Sequence, residues 1–418
     1  MNLRPLIFTL IAFGCVLAVL AARGDDPAAA PPAPAGAADA GIRRLEAAVR
    51  RGSPVEADLA AAYLQQARAT GEPSLYDRAR TVLRPALARG DAGALVQAAT
   101  LAATSHDFRR ALGLARRSRA ASPGSLAAEP VRVDALVELG RYAAAERVLQ
   151  RLVDRKPGLA AYARVSYVRE LHGDLDGAVA AMRAAAAAGG AVPEDFASAQ
   201  ALVGHLEVAR RRPRAAARAY DAALLALPEC IPALAGRARL ASLHGDHDEA
   251  VAAWRRIVAR LPLPEHVLAL GEAELAAGHT AQARRDLTRV IPQRRRLDPV
   301  GVRPDAELAL FEADHGDPRR AVALARAAYA AAPSVRSADA LGWALTRSGR
   351  PAAGARWAAR ALRLGWQDAP ARFHAGMAEV ASGRAGDGRR HLRAALAHGL
   401  DAFPLQARAA RAALGAPG

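Results

Sequence analysis

A small residue recurs along the chain at an interval close to 33 residues, and this spacing restricts the possible fold more than any other feature. The positions are Ala79, Ala111, Ala145, Ala178, Ala217, Ala250, Ala283, Ala321, Gly354 and Gly388. Seven of the nine intervals are 32 to 34 residues long, and the two longer ones coincide with insertions near 189–196 and 293–304. A period of this length is typical of supersecondary units stacked into an array.

Each unit has the pattern of two short helices joined by a tight turn. Apolar residues follow the small residue at the fourth and seventh positions, which share one face of a helix. They include Leu149, Met182, Trp254 and Leu287 at the fourth position, and Leu152, Leu224, Ile257 and Val290 at the seventh. Proline stands twelve residues after the small residue in several units, where the second helix must end.

A glycine stands five residues before the small residue in most units. We expect it to end the first helix in a left-handed conformation, so that the chain can reverse direction. These glycines are Gly140, Gly173, Gly245, Gly278, Gly316, Gly349 and Gly383, and the fifth unit has Arg212 instead. Ala, Leu and Arg dominate the composition and only 4% of residues are aromatic, which favours an all-α protein.

The pattern resembles the tetratricopeptide repeat (TPR), whose form is W-x2-L-G-x2-Y…A-x3-F…P over 34 residues. Leu270-Gly271 and Leu341-Gly342 match the Leu-Gly pair, Tyr162 takes the Trp position and Trp254 takes the Phe position. About ten units are in register from residue 79 to 415, with a first helix from residue 54. The resemblance implies a right-handed α-solenoid of stacked helix–turn–helix units.

The resemblance also implies a non-enzymatic scaffold that binds a protein or peptide on the concave face. In the TPR register, that face holds Tyr167, Arg239, Glu272, Trp343, Phe373 and Met377. Core or edge positions are an alternative for each of them. Trp343 is the first candidate, because exposed aromatic side chains anchor interfaces.

The N-terminus predicts an exported protein. A single Arg precedes an uncharged apolar run from residue 6 to 22, so residues 1–23 form a signal peptide or an N-terminal membrane anchor. Membrane attachment through residues 5–22 therefore stays open. Lipidation at Cys15 is disfavoured because the apolar run continues past it. Residues 24–41 are rich in Pro and Ala and predict a linker, which leaves 42–418 for the repeat array.

The formal net charge of +17 allows an acidic protein partner. Because the arginines are spread along the chain, we expect most of them to fill solvent positions, and we expect no nucleic-acid partner. No catalytic motif or cofactor signature occurs, so neither a cofactor nor a metal is predicted. The sequence from His244 to Glu249 offers four possible metal ligands, but histidine recurs at equivalent turns, which favours a turn.

Three functions follow from these observations. The favoured one is an exported interaction scaffold outside the cytoplasm. A second is an accessory subunit that bridges components of a cell-envelope assembly, such as polysaccharide or secretion machinery, and it requires the apolar N-terminus to stay attached. A third is an enzyme with a site in the groove or the insertions, for which the sequence offers no convergent set of polar residues.

Overall fold

A computed structural model describes residues 35–190, 192–295 and 306–415, and in these ranges the chain is all-α, without a strand. Helix α1 (Ala35–Arg50) precedes ten helix pairs. The first helices are α2 (Glu56–Thr70), α4 (Ala92–Thr104), α6 (Glu129–Glu138), α8 (Leu159–Leu171), α10 (Pro193–Ala209), α12 (Ile231–His244), α14 (Pro264–Ala276), α16 (Ala306–His315), α18 (Val335–Arg347) and α20 (Ala369–Ala381).

Each first helix is followed by the second helix of its unit. The second helices are α3 (Ser74–Ala88), α5 (Phe108–Ala121), α7 (Tyr142–Arg155), α9 (Leu175–Ala188), α11 (Pro213–Ala226), α13 (His247–Arg260), α15 (Thr280–Arg295), α17 (Pro318–Ala331), α19 (Pro351–Ala361) and α21 (Ala385–Ala397). A 3-10 turn (Leu400–Ala402) and helix α22 (Pro404–Leu414) follow the last pair. The prediction of a TPR-like α-solenoid of about ten units is confirmed.

The recurring small residue lies where the two helices of a unit cross. Ala79, Ala111, Ala145, Ala178, Ala250, Ala283 and Ala321 are all fully buried. In unit 5 the predicted residue is wrong by one position, because Ala216 is fully buried and Ala217 only partly. With Ala216 in register, Tyr220 takes the fourth position after it and Pro228 the twelfth. The seventh position is then Ala223 rather than Leu224.

The turn between the two helices follows the glycine prediction with three exceptions. Gly140, Gly173, Gly245, Gly278, Gly349 and Gly383 all have positive φ, as expected. His106 and Arg211 adopt the same conformation in units 2 and 5, where no glycine is available. Gly316 does not adopt it, and its turn is instead stabilised by Asp317 N, which donates to Glu312 Oε2 at 3.1 Å.

Two predicted boundaries differ from the structure. Helix α1 begins at Ala35, inside the predicted linker, because Ala-rich sequence continues the helix towards the N-terminus. The insertion near 189–196 is partly absorbed into α10, which begins at Pro193 and is 17 residues long. The second insertion lies mostly outside the described residues, as do the predicted signal or anchor segment and the first part of the linker.

The first helices lie on the inner side of the curved array. First helices of consecutive units pack on each other, for instance α16 on α18 and α18 on α20, whereas consecutive second helices make at most marginal contact. A curved stack brings its inner elements closer than its outer ones. The second helices therefore form the outer surface.

Successive turns of this superhelix contact each other along a line that we call the seam. At the seam, the turn between the two helices of one unit contacts a connection between units that lies five to six units further along the chain. Three hydrogen bonds mark the seam: Val335 N to Tyr142 Oη at 2.8 Å, Gln367 Nε2 to Gly173 O at 2.7 Å, and His398 Nδ1 with Ala209 O at 3.0 Å. These partners are 189 to 194 residues apart in sequence. Successive turns of the superhelix are therefore in direct contact.

Candidate functional site: the inner face and the outer surface

The aromatic residues predicted to line an open groove are buried. Trp343 is 3% exposed and Phe373 is 1% exposed, so the expectation that Trp343 is an exposed anchor is wrong. Trp343 stacks on His374 with ring centroids 4.5 Å apart, and its Nε1 donates to the carboxylate of Asp314 at 3.0 and 3.1 Å. The ring of Trp343 therefore packs unit 9 against units 8 and 10.

Tyr167 is also buried, because the seam covers it. Its hydroxyl donates to Glu138 Oε1 at 3.1 Å and accepts from Arg336 Nη1 at 3.3 Å. Arg336 lies in unit 9, whereas Glu138 and Tyr167 lie in units 3 and 4. Burial raises the pKa of Tyr167 well above its ordinary value, and the nearby carboxyl of Glu138 adds to the shift. This cluster joins two turns of the superhelix.

The other three predicted residues are only partly buried on the inner side. Arg239 lies 5.6 Å from the ring of Trp254, and burial lowers its pKa to about 10. Glu272 Oε1 lies 3.1 Å from His315 Nε2, and burial raises the pKa of the carboxyl while it lowers that of His315 to about 4. Burial thus disfavours the charged form of both partners. Met377 packs beside the C-terminal core.

One cavity on the inner side, between units 4–6 and the C-terminal helices, has a volume of about 40 Å3. Its lining includes Glu170, His205, Tyr220, Arg239 and Asp368. Burial raises the pKa of Glu170 to about 8 and that of Asp368 to about 7, and each carboxyl is also raised by neighbouring acidic groups. Pockets that hold small-molecule ligands are typically about 300–1,000 Å3, so this cavity has room for little more than water.

One inner pair has the arrangement of a catalytic acid and base. His374 Nδ1 lies 3.0 Å from Asp339 Oδ2, which leaves Nε2 without a hydrogen-bond partner. The pair is buried, however, with Asp339 at 0% and His374 at 2% exposure. A general base must reach the proton that it removes. In this closed conformation no substrate reaches His374.

The four possible metal ligands between His244 and Glu249 do not converge. His244 ends α12 and is exposed, while Asp248 Oδ1 lies 3.4 Å from His279 Nε2 in the next unit. Within the described ranges, no group of three or more His, Cys, Asp or Glu side chains is placed to hold a metal ion. The helix ends at His244 and Gly245 adopts a positive φ, so the segment forms the turn that the repeats predict. Cys230 is buried at 3% exposure, and burial raises the pKa of its thiol to about 11.

Charge is divided between the two faces, which sequence analysis did not predict. Basic residues far outnumber acidic ones on the second helices, above all on α5, α15 and α17. Acidic residues outnumber basic ones on the first helices, as on α10, α14 and α16. Counting charges separately for the two helices of each unit would have found this division. The arginines therefore form a basic outer surface and are not evenly spread.

No protein-family model matches the chain, and no curated protein matches it in sequence. Solved TPR structures resemble it at low identity. The human IFIT1 dimer with PPP-AAAA is 14% identical, with a TM-score of 0.49, covering 78% of this chain and 77% of that one. A tetratricopeptide repeat protein from Parabacteroides merdae is 12% identical, with a TM-score of 0.39, covering 68% and 97%.

A chain of the APC/C hetero-tetramer Cut9–Hcn1 is 19% identical, with a TM-score of 0.38. The match covers 84% of this chain but only 63% of that chain's length. These likenesses concern the helical-repeat architecture alone. No helix in the described residues is long and apolar enough to cross a membrane, and the apolar run of residues 6–22 lies outside them.

Proposed function

We propose that the protein is a non-enzymatic scaffold that acts outside the cytoplasm and binds a protein partner on its outer surface. The observation that carries this proposal is the closure of the inner face. Tyr167, Trp343 and Phe373 are buried, and the cavity beside the seam has a volume of about 40 Å3. A peptide that lies in a groove needs a continuous open channel, whereas the second helices offer a long accessible surface.

The proposed location rests on the N-terminal sequence. The uncharged run from residue 6 to 22, followed by Asp25 and Asp26, is that of an export signal or an anchor. Sequencing the N-terminus of the mature protein tests this directly. A start near residue 24 supports a released scaffold, an intact Met1 with the array outside the membrane supports an anchored envelope subunit, and an array in the cytoplasm contradicts both.

Photo-crosslinking of the full chain tests the binding surface. A crosslinking amino acid is placed at exposed outer positions on several second helices, for example at Arg147 on α7 and Arg218 on α11, and at Met377 on the inner face as the matched control. We expect one or more outer positions to give a reproducible protein adduct, identified by mass spectrometry, and Met377 to give none.

Two results would contradict this function. Adducts from Met377 alone would show that the partner binds on the inner face. The absence of a protein adduct at every outer position, together with turnover of a substrate by the purified chain, would show an enzyme. In that case His374→Ala would be the first variant to assay, because His374 Nε2 has no hydrogen-bond partner and its Nδ1 lies beside Asp339.

A further inference from the structure

Two outer helices from distant units carry arginines and no acidic residue. Helix α5 has Arg109, Arg110, Arg116, Arg117 and Arg119, and α17 has Arg319, Arg320 and Arg326. On α5, Arg109 and Arg116 are seven residues apart, as are Arg110 and Arg117, so each pair lies along the same face of the helix. All four side chains are exposed.

The seam joins these two helices, although more than 200 residues separate them in sequence. Arg109 Nη2 donates to Ala330 O at 2.8 Å, and Arg109 Nε donates to Ala331 O at 3.4 Å. The beginning of α5 thus meets the end of α17, where free carbonyl groups favour a cation. The two helices together have a length of about 40 Å at 1.5 Å per residue. Only the closed superhelix forms this surface.

Most of these arginines lack a carboxylate partner within the described part of the chain. Arg119 pairs with Glu129 at 2.8 Å and Arg320 with Glu312 at 3.3 Å. The remaining exposed guanidinium groups form no ion pair with a described residue, and we call them the arginine stripe: Arg109, Arg110, Arg116, Arg117, Arg319 and Arg326. First-helix carboxylates thus reach Arg119 and Arg320 but form no ion pair with the arginine stripe.

The chemistry of the arginine stripe favours carboxylates presented by a protein. Guanidinium groups bind carboxylates and phosphates in a bidentate geometry, so the surroundings of the stripe must distinguish between these anions. Within the described residues the only exposed large apolar side chain is Leu225, which lies on α11 in unit 5. The stripe therefore has neither the apolar anchors of membrane-surface helices nor exposed aromatic rings for stacking on bases.

We propose that the arginine stripe binds an Asp/Glu-rich segment of a partner protein, and that both superhelical turns contribute to the binding. This inference rests on the proposed scaffold function and specifies the partner's chemistry. Both helices belong to the outer surface, so the segment would cross the seam without entering the inner face.

The test uses the full chain and a fluorescently labelled Glu-rich peptide long enough to span both helices. The triple variant Arg110→Gln, Arg116→Gln and Arg117→Gln removes three of the four stripe arginines on α5 and keeps Arg109, which contacts α17 at the seam. The matched control, Arg214→Gln, Arg218→Gln and Arg256→Gln, removes the same charge from exposed positions on α11 and α13. We expect the α5 variant to weaken binding about tenfold or more and the control less than about twofold, as measured by fluorescence anisotropy.

A second variant, Arg319→Gln with Arg326→Gln, tests whether the stripe crosses the seam. We expect a loss of affinity comparable to that of the α5 variant, with unchanged helicity by circular dichroism. An unchanged affinity for the peptide would overturn the claim that both helices share the site. Equal losses of affinity in the α5 variant and the control would show that only the net charge matters.

Other polyanions form the remaining arms of the test. Phosphatidylglycerol vesicles or duplex DNA that bind through the stripe, while the peptide does not, would overturn the acidic-protein assignment. The scaffold function fails separately, because its crosslinking adducts do not depend on these arginines. A partner that crosslinks to the outer surface and binds the α5 variant as tightly as the wild type would contradict the stripe alone.

Discussion

Equivalent turns in the two halves of the array have the same backbone conformation and different surroundings. Gly140 in unit 3 has a φ of 68° and Gly349 in unit 9 has a φ of 82°. A Cβ on Gly140 would lie 2.4 Å from the backbone oxygen of Pro333, whereas a Cβ on Gly349 would meet no atom within 4 Å. The repeat requires glycine's conformation at both positions, but only Gly140 must also be small, because the seam covers it.

Gly173 in unit 4 repeats the first case, because a Cβ there would lie 2.4 Å from the oxygen of Gly365. Gly383 in unit 10 repeats the second, since nothing lies within 4 Å of its Cβ position. Gly140 and Gly173 thus lie in the seam, whereas Gly349 and Gly383 lie at an open edge of the array. Repeats that are alike in sequence differ in structure according to what the superhelix places beside them.

Arg336→Met should have the largest effect on this difference, because it removes the cation that joins the halves. The hydroxyl of Tyr167 would lose the hydrogen bond from Arg336, and Glu138 would lose the positive charge that favours its ionised form. We expect the free energy of unfolding to fall by about 3–5 kcal/mol, as for other buried charged groups left without their partner, measured by urea denaturation. The control Arg326→Met, at an exposed position of α17, should change it by less than about 0.5 kcal/mol. Similar small losses in both variants would show that the seam adds little.

The turn glycines give the second test. Gly349→Ala should lower the free energy of unfolding by about 1 kcal/mol, because alanine disfavours the left-handed conformation. Gly140→Ala should lower it by about 2–3 kcal/mol, because the new methyl group must also displace the backbone at Pro333. Hydrogen exchange should show faster opening near Tyr142 and Val335 in the second variant only. Equal losses of stability in Gly140→Ala and Gly349→Ala would show that turns covered by the seam and open turns do not differ.

The pH dependence gives the third and smallest effect. The pKa values of Glu170, near 8, and Asp368, near 7, are raised by burial beside the seam, so the folded state retains protons that the unfolded state releases. Their contribution is therefore present at low pH and is lost as the pH rises towards 8. Glu170→Gln should raise the free energy of unfolding by about 1 kcal/mol at pH 8 and change it little at pH 5.

Thermal unfolding at the two pH values measures this effect. Glu249→Gln, at an exposed position of α13, is the matched control and should follow the wild-type pH profile. A Glu170→Gln variant with the same pH slope as the wild type would show that this carboxyl does not limit the stability of the closed form.

The sequence predicted the units and their order because both depend on local spacing. The buried small residue, the turn glycine and the closing proline determine each helix pair, and a single-residue error at Ala217 arose because Arg211 replaces glycine in that turn. The winding of the superhelix is not encoded in a 33-residue pattern. Small rotations between units add up over five of them, and they decide whether Tyr167 faces solvent or Arg336.

For the same reason the predicted groove residues were assigned to the correct side but not to the correct environment. Trp343 lies on an inner helix, and its burial depends on His374 and Asp314 from neighbouring units. The charge division between first and second helices could have been read from the sequence. The adjacency of α5 and α17 could not, because it depends on contacts 221 to 222 residues apart.

The seam has a consequence for how the chain folds. An open solenoid can form one unit at a time, because each contact joins neighbours in sequence. Here Val335 reaches Tyr142 across 193 residues, and His398 reaches Ala209 across 189. Contacts of this separation slow folding, because a long loop must close before they form. During synthesis, the first five units therefore emerge with the surface that forms the seam still exposed to solvent. The two halves become one cooperative structure only when the C-terminal helices are complete.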